Sequence, residues 1–224
     1  MMNWDSLFQY AHFEAREKSF PLSESEESLL RSQMSIPPQI ETYHPARKAE
    51  FLLGRWCASK AYEKSTTRPL SNLEIGKMRN PIWPQNILGA VTHNENWVMA
   101  AVSNCQKLKG LGIDIEVKDR VKPEIERMIM TSQDLNKIDG LTHNELLTLI
   151  FSAKESLYKA LFPQVQKFFG FEAAAVTKID LKSSEFEIVL RDDLDSHWGP
   201  RSRGQFIGKF LVNRQDLLTV LEIF

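Results

Sequence analysis

Along an extended Gly112-Ile113-Asp114-Ile115-Glu116, alternation sends the Asp114 and Glu116 side chains to one face and Ile113 and Ile115 to the other. At a rise of about 3.3 Å per residue the two carboxylates stand about 7 Å apart along that face. Such a pair suits a hard, oxygen-seeking cation such as Mg²⁺, which takes a few carboxylates together with substrate phosphate and water. A half-exposed strand with its acids on the wet side has the same pattern. Both readings stand at this point.

A second set lies in Phe151-Ser152-Ala153-Lys154-Glu155-Ser156-Leu157-Tyr158-Lys159-Ala160. At about 100° per residue, Phe151, Glu155, Tyr158, Lys159 and Phe162 share one helical face. Glu155 and Lys159 at i,i+4 could be an ordinary surface pair, worth a few tenths of a kcal/mol. The aromatic neighbours argue instead for a face that lines a cleft. A third set is Thr92-His93-Asn94, where a histidine enters a turn from a strand and is an ordinary structural hydrogen-bonder on general grounds. Arg47, Lys48 and Arg55 form the fourth, which by itself is an ordinary charged helix face.

The elements that must position these groups follow from pattern. Residues 21–46 are rich in Ser, Pro and Glu and read as connection, with Ser23 or Ser25 capping a short helix. A helix is expected over 46–64, and Pro and Gly punctuate 65–89. Strand-like runs around an Asn-Glu-Asn turn follow in AVTHNENWVMAAVS. The second half has strand-like LKGLGIDIEV, a helix over about 144–162, and strand-like segments at 171–190 and 205–224. Each half thus offers a long helix and then paired strands. The expected fold is α+β, two similar subdomains forming a pseudo-dimer in one chain, joined near 106–112, with the active site at their seam.

A net charge of −1 gives no global positive field, so nucleic acid is not an expected partner. Two cysteines, Cys57 and Cys105, are too few for a disulfide framework. No apolar run approaches the roughly 18 residues that span a bilayer, and residues 1–20 lack a secretory pattern. A cytoplasmic monomer without membrane insertion is the expectation.

GIDIE followed by FSAKESLYKA resembles the signature pair of the Sfp-type 4′-phosphopantetheinyl transferases. ARKAEFLLGR and NPIWPQNILGAVTHN resemble the N-terminal motifs of the subgroup that includes the enterobactin-synthase component. The likeness runs from about 40 through 165. It implies transfer of the phosphopantetheine arm of coenzyme A to a serine of an apo carrier protein, with release of 3′,5′-ADP. It implies Mg²⁺, with Mn²⁺ as a substitute, held by Asp114, Glu116 and Glu155. Glu155 or a metal-bound water would take the serine proton, and Lys154 and Lys159 would approach the pyrophosphate. Arg47, Arg55, Arg79, Thr92 and His93 would hold the 3′-phosphate and adenine of coenzyme A.

On that likeness residues 1–109 carry the coenzyme A contacts, and residues 110–224 carry the metal site, catalytic helix and docking surface. The carrier would dock on Val117–Glu126 and Met128, Ile129 and Met130, drawn by Lys118, Arg120, Lys122 and Arg127. Two departures are small. Phe151 stands where many members have Trp, and Thr92-His93-Asn94 replaces Ser-His-Cys or Ser-His-Ser. Outside the family, a Mg²⁺-dependent phosphohydrolase or a non-catalytic carrier-binding module would share the same acids. The pathway served, from siderophore to polyketide, is not written in the motifs.

Overall fold

The computed structural model of the chain describes residues 4–18, 20–70 and 72–224. These divide into two compact units, Tyr10–Leu108 and a second built from Met1–Gln9 with Lys109–Phe224. Trp4–Gln9 thus group with Lys109–Phe224, whereas the expectation placed them in a 1–109 subdomain. Trp4 and Leu7 are buried, and the Gln9 amide donates to Glu222 Oε2 at 3.0 Å.

In the first unit, β1 (His12–Glu17) precedes α1 (Glu24–Ser32) and the 22-residue α2 (Pro45–Thr66). The Ser23–Glu26 capping box starts α1, satisfying two orphan backbone amides reciprocally. Pro45 sits in the first turn of α2, where its missing N–H has no intrahelical role. The short β2 (Glu74–Ile75) and β3 (Pro81–Ile82) pair with each other. The hairpin β4 (Leu88–His93) and β5 (Trp97–Ser103) then forms a sheet in the order β1-β5-β4. Asn94 Oδ1 accepts from the Asn96 and Trp97 amides and closes the hairpin turn. Leu52, Leu53 and Cys57 of α2 are fully buried in a core with Val98 and Ala100.

In the second unit, β6 (Gly110–Val117) leads through α3 (Glu126–Ile129) to the 23-residue α4 (His143–Val165). Strands β7 (Ala174–Asp180), β8 (Glu185–Leu190), β9 (Gln205–Val212) and β10 (Asp216–Ile223) follow. The antiparallel sheet runs β6-β10-β9-β8-β7. A Thr142–Glu145 capping box starts α4 one residue before the expected 144. The helix runs past Pro163 for a short distance and stops at Gln166, whose φ of 52° is left-handed.

Both units share one plan. The strand that precedes the long helix pairs antiparallel with the unit's last strand, β1 with β5 and β6 with β10. The α4 side of β6 explains the glycines of its motif. A Cβ on Gly112 would lie 1.8 Å from the Ser156 carbonyl oxygen, and one on Gly110 would lie 2.7 Å from that of Ala160. Glycine at both positions lets α4 press its backbone onto the strand. Gly110, Gly112, Asp114 and Glu116 share that face by alternation.

Candidate functional site

The acidic strand is held from three sides. Ser152 Oγ donates to the Asp114 carbonyl, and Ser152 and Ser156 meet Thr219 of β10 in a buried hydroxyl cluster at 2.7–2.8 Å. Those short polar side chains continue the close approach that the glycines begin. Where the packing reaches Asp114, helix α4 presents charge instead. Lys159 Nζ donates to Asp114 Oδ1 at 2.6 Å and to the Ile113 carbonyl at 3.1 Å. Arg120 donates to Glu116 Oε2 at 2.6 Å.

Burial pushes the Glu116 carboxyl up to about 7, repulsion from Asp114 adds to this, and Arg120 and Lys159 work against it. Glu155, on α4, is also pushed up, first by burial; Lys159 opposes the rise and Asp114 repulsion adds to it. Asp114 therefore disfavours the charged form of both glutamates. A desolvated group of carboxylates whose repulsion neighbouring cations offset only in part is chemistry that a divalent cation relieves. Among the described residues, no three His, Cys, Asp or Glu side chains already stand in reach of one ion. Asp114 and Glu116 are instead turned toward Lys159 and Arg120, which a cation would have to displace in part.

A cavity of about 220 Å³ is lined by Glu155, Tyr158 and Lys154 of α4 with Phe168, Phe169 and Phe171. Tyr158 packs against Phe162, Phe168 and Phe169 at centroid distances of 5.3, 5.9 and 5.0 Å. Phe151 meets Phe171 at 5.3 Å. Of the face expected to line a cleft, Glu155 and Tyr158 border this cavity, whereas Phe151, Lys159 and Phe162 do not.

Lys154, expected to approach the pyrophosphate, has an enclosed ammonium. Its side chain is 2% exposed, and its ammonium donates to Asp134 Oδ2 at 2.7 Å, the Ile129 carbonyl at 2.8 Å and the Phe171 carbonyl at 3.1 Å. An ammonium has three donors, and these three acceptors use them. One position away from Glu155, the chain turns a buried strut inward rather than a cation outward.

The Tyr10–Leu108 unit holds a second candidate, a cavity of about 180 Å³ lined by Arg47, Arg55, Arg79 and His93 together with Glu50 and Phe51. Arg47 and Arg55 lie about two turns apart on α2, so both face it. Arg55 is buried, its guanidinium lies 4.5 Å from the Phe51 ring centroid, and its Nε has no hydrogen-bond partner among the described residues. Desolvation lowers it to about 10. Arg79 enters from a turn with φ 62°.

Glu50, not singled out in the sequence, organises this cavity. It accepts from Lys18 at 2.8 Å and from Arg47 at 3.2 Å, and lies 3.6 Å from His93, while Arg47 reaches His93 at 3.1 Å. Burial pushes its carboxyl up, but Lys18, His93 and Arg47 outweigh that and leave it below the ordinary range. The i,i+3 spacing from Arg47 could have flagged Glu50; nothing local flags Lys18. Thr92 does not join the set. Alternation on β4 turns Val91 and His93 toward α2 and leaves Thr92, 3% exposed, on the other face.

Of the expected docking residues, Met128 is 73% exposed and Ile125 42%, whereas Ile129 is buried. Lys118 bridges to Glu145 and Arg120 to Glu116, so those two cations have structural partners.

Comparison with known proteins adds two kinds of likeness, to family models and to individual relatives. Residues 37–103 match the model of the 4′-phosphopantetheinyl transferase N-terminal domain, and residues 110–206 that of the 4′-phosphopantetheinyl transferase superfamily. The chain is 32% identical over 189 residues to the 4′-phosphopantetheinyl transferase Npt of Nocardia iowensis, covering 78% of this chain and 82% of that protein. It is 33% identical to enterobactin synthase component D of Salmonella typhi over 60% of this chain, spanning 56% of that relative's length. It is 30% identical to the transferase PptT of Mycobacterium tuberculosis, over 62% of each.

Proposed function

The chain belongs to the 4′-phosphopantetheinyl transferases, and from that premise we propose how its residues divide the transfer of phosphopantetheine from coenzyme A to a carrier-protein serine. Asp114, Glu116 and Glu155 hold a divalent cation, Mg²⁺ in the first place. What supports this reading is placement: Asp114 and Glu116 share the buried strand face that α4 covers, and Glu155 stands desolvated on that helix. Their all-oxygen donor set fits a hard cation. When bound, such an ion supplies positive charge against the pyrophosphate of coenzyme A.

Glu155 accepts the proton of the carrier serine as its oxygen forms a bond to the β-phosphorus and the bond to the departing 3′,5′-ADP breaks. Burial raises its proton affinity, which favours taking up that proton. Lys159 holds positive charge beside the leaving group. Arg47, Arg55, Arg79 and His93 bind the 3′-phosphate and adenine end of coenzyme A. A buried guanidinium with an unmatched Nε inside a small cavity is well made for an anion. Lys154 and Thr92 are left out of both sets on the geometry above.

The carrier docks on the α3 segment, where exposed Ile125 and Met128 stand among Lys122 and Arg127. Apolar anchors ringed by cations fit an acidic helical partner. The resemblance to enterobactin synthase component D favours a siderophore-assembling synthetase as the source of that carrier. No described helix is long and apolar enough to cross a membrane. We place the protein in the cytoplasm as a monomer, where coenzyme A and carrier domains are made.

The test is incubation with coenzyme A, Mg²⁺ and an apo carrier domain, followed by intact-mass measurement. One phosphopantetheine should be gained, and Asp114→Ala or Glu155→Ala should abolish the gain. Release of 3′,5′-ADP from coenzyme A with no carrier present would replace this reading with phosphohydrolysis.

A further inference from the structure

The buried Lys154–Asp134 pair is the most enclosed charge pair in the described structure, with side chains 2% and 0% exposed. Asp134 is saturated as fully as its partner. Its Oδ2 accepts from the Thr131 amide at 2.7 Å, the Thr131 hydroxyl at 2.9 Å and Lys154, while Oδ1 accepts from the Val176 amide at 2.7 Å. Lys154 in turn takes the carbonyls of Ile129 and Phe171. One ion pair therefore ties together the end of α3, the turn after it, the start of β7, the Phe171 turn and α4.

A buried ion pair rarely repays its desolvation as net stability, so what it fixes in place matters more than what it adds. Two of the tied segments bear on the reaction proposed above. Phe171 and Ala174 line the aromatic cavity next to Glu155, and α3 carries the exposed Met128. If Lys154 were to swing toward a phosphate, it would strand the Asp134 carboxylate without a cation in a fully buried site, which is strongly unfavourable.

We propose that Asp134 and Lys154 are positioning residues that clamp the α3 docking turn and the Phe171 rim to the helix position beside Glu155, and so govern carrier-protein engagement rather than coenzyme A binding. The inference rests on the reading of α3 and Glu155 in the preceding subsection. It reassigns the lysine next to the proposed base from phosphate contact to architecture, and gives Asp134 a role that no motif suggests.

The experiment compares wild type with Asp134→Asn, Lys154→Met, the double variant and the milder Thr131→Val, which removes one hydroxyl from the clamp. Coenzyme A affinity is measured by calorimetry with Mg²⁺, and carrier KM and kcat from initial rates. The clamp predicts that Lys154→Met raises the carrier KM about tenfold with coenzyme A affinity held within about twofold. The double variant should be no worse than the worse single, because both remove one link. Thr131→Val should shift the carrier KM a few-fold in the same direction and serves if the charge variants do not fold. Lys154→Met that weakens coenzyme A binding about tenfold while leaving the carrier KM alone overturns the proposal. So does an unchanged carrier KM across all four.

Amide hydrogen exchange separates this from failure of the transferase reading. If wild type modifies no carrier, faster exchange at residues 129–134 and 171–176 in Thr131→Val still supports the clamp, and unchanged exchange there overturns it.

Discussion

Lys159 Nζ lies 2.6 Å from Asp114 Oδ1 and 3.1 Å from the Ile113 carbonyl oxygen, so α4 returns an ammonium to the very strand whose acids it covers. The pairing holds the lysine where positive charge would meet developing negative charge on a leaving phosphate. Lys159→Met should lower kcat by about 10²–10³-fold, the scale of losing one preorganised charge-stabilising donor. Coenzyme A affinity should change far less. Single-turnover rates with saturating coenzyme A check this, and an unchanged rate removes Lys159 from the reaction.

The Glu116 carboxyl, pushed up to about 7 from an ordinary 4.5, couples stability to pH. Between these values the unfolded chain has lost a proton that the folded chain keeps, so the unfolded state binds fewer protons and stability falls as pH rises. For the metal-free protein, thermal melting temperature should decline from about pH 4.5 to about pH 7 through this group. Glu116→Gln should flatten that decline. In the same window Mg²⁺ competes with a proton, so its affinity should rise with pH.

Arg55 is buried over Phe51 with its Nε unmatched. A lysine lacks both the fork and the planar stacking surface. Arg55→Lys should raise the coenzyme A KM about tenfold, the worth of one charge-assisted hydrogen bond, with kcat nearly unchanged. Steady-state kinetics at fixed carrier concentration measure it.

Gly112→Ala tests the packing that brings α4 to the strand. The added Cβ would meet the Ser156 carbonyl oxygen at 1.8 Å, and helix backbone cannot yield as a side-chain tip can. Overpacking of this kind should cost about 3 kcal/mol, read from denaturant unfolding. Transfer activity should also drop, since Asp114 lies two residues along.

Much of this was legible in local pattern. Period-two alternation put Asp114 and Glu116 on one face, and period 3.6 grouped Glu155, Tyr158 and Lys159, because both periods are fixed by backbone geometry. The capping signal at Ser23 and the hairpin turn at Asn94 are likewise short-range. What stayed hidden depends on contacts across the chain. Lys154 lies one residue from Glu155 and shares its motif, yet 100° of helical rotation turns it into the core toward Asp134, a partner 20 residues away. Thr92 adjoins His93 but alternates to the opposite face. The grouping of Trp4–Gln9 with the C-terminal half depends on contacts such as Gln9 with Glu222, 213 residues apart. Gly110 and Gly112 were visible as letters, but their reason appears only once Ala160 and Ser156 are seen pressed against them.

The most direct measurement of the central claim is titration of Mn²⁺ into the protein with coenzyme A present, following free ion by electron paramagnetic resonance. Wild type should bind one ion, and Asp114→Asn, Glu116→Gln and Glu155→Gln should each weaken it by about tenfold or more, as expected when one of three charged ligands is neutralised. Wild-type affinity in all three variants would show that these carboxylates do not share a cation, and the proposed division of the reaction would fall with it.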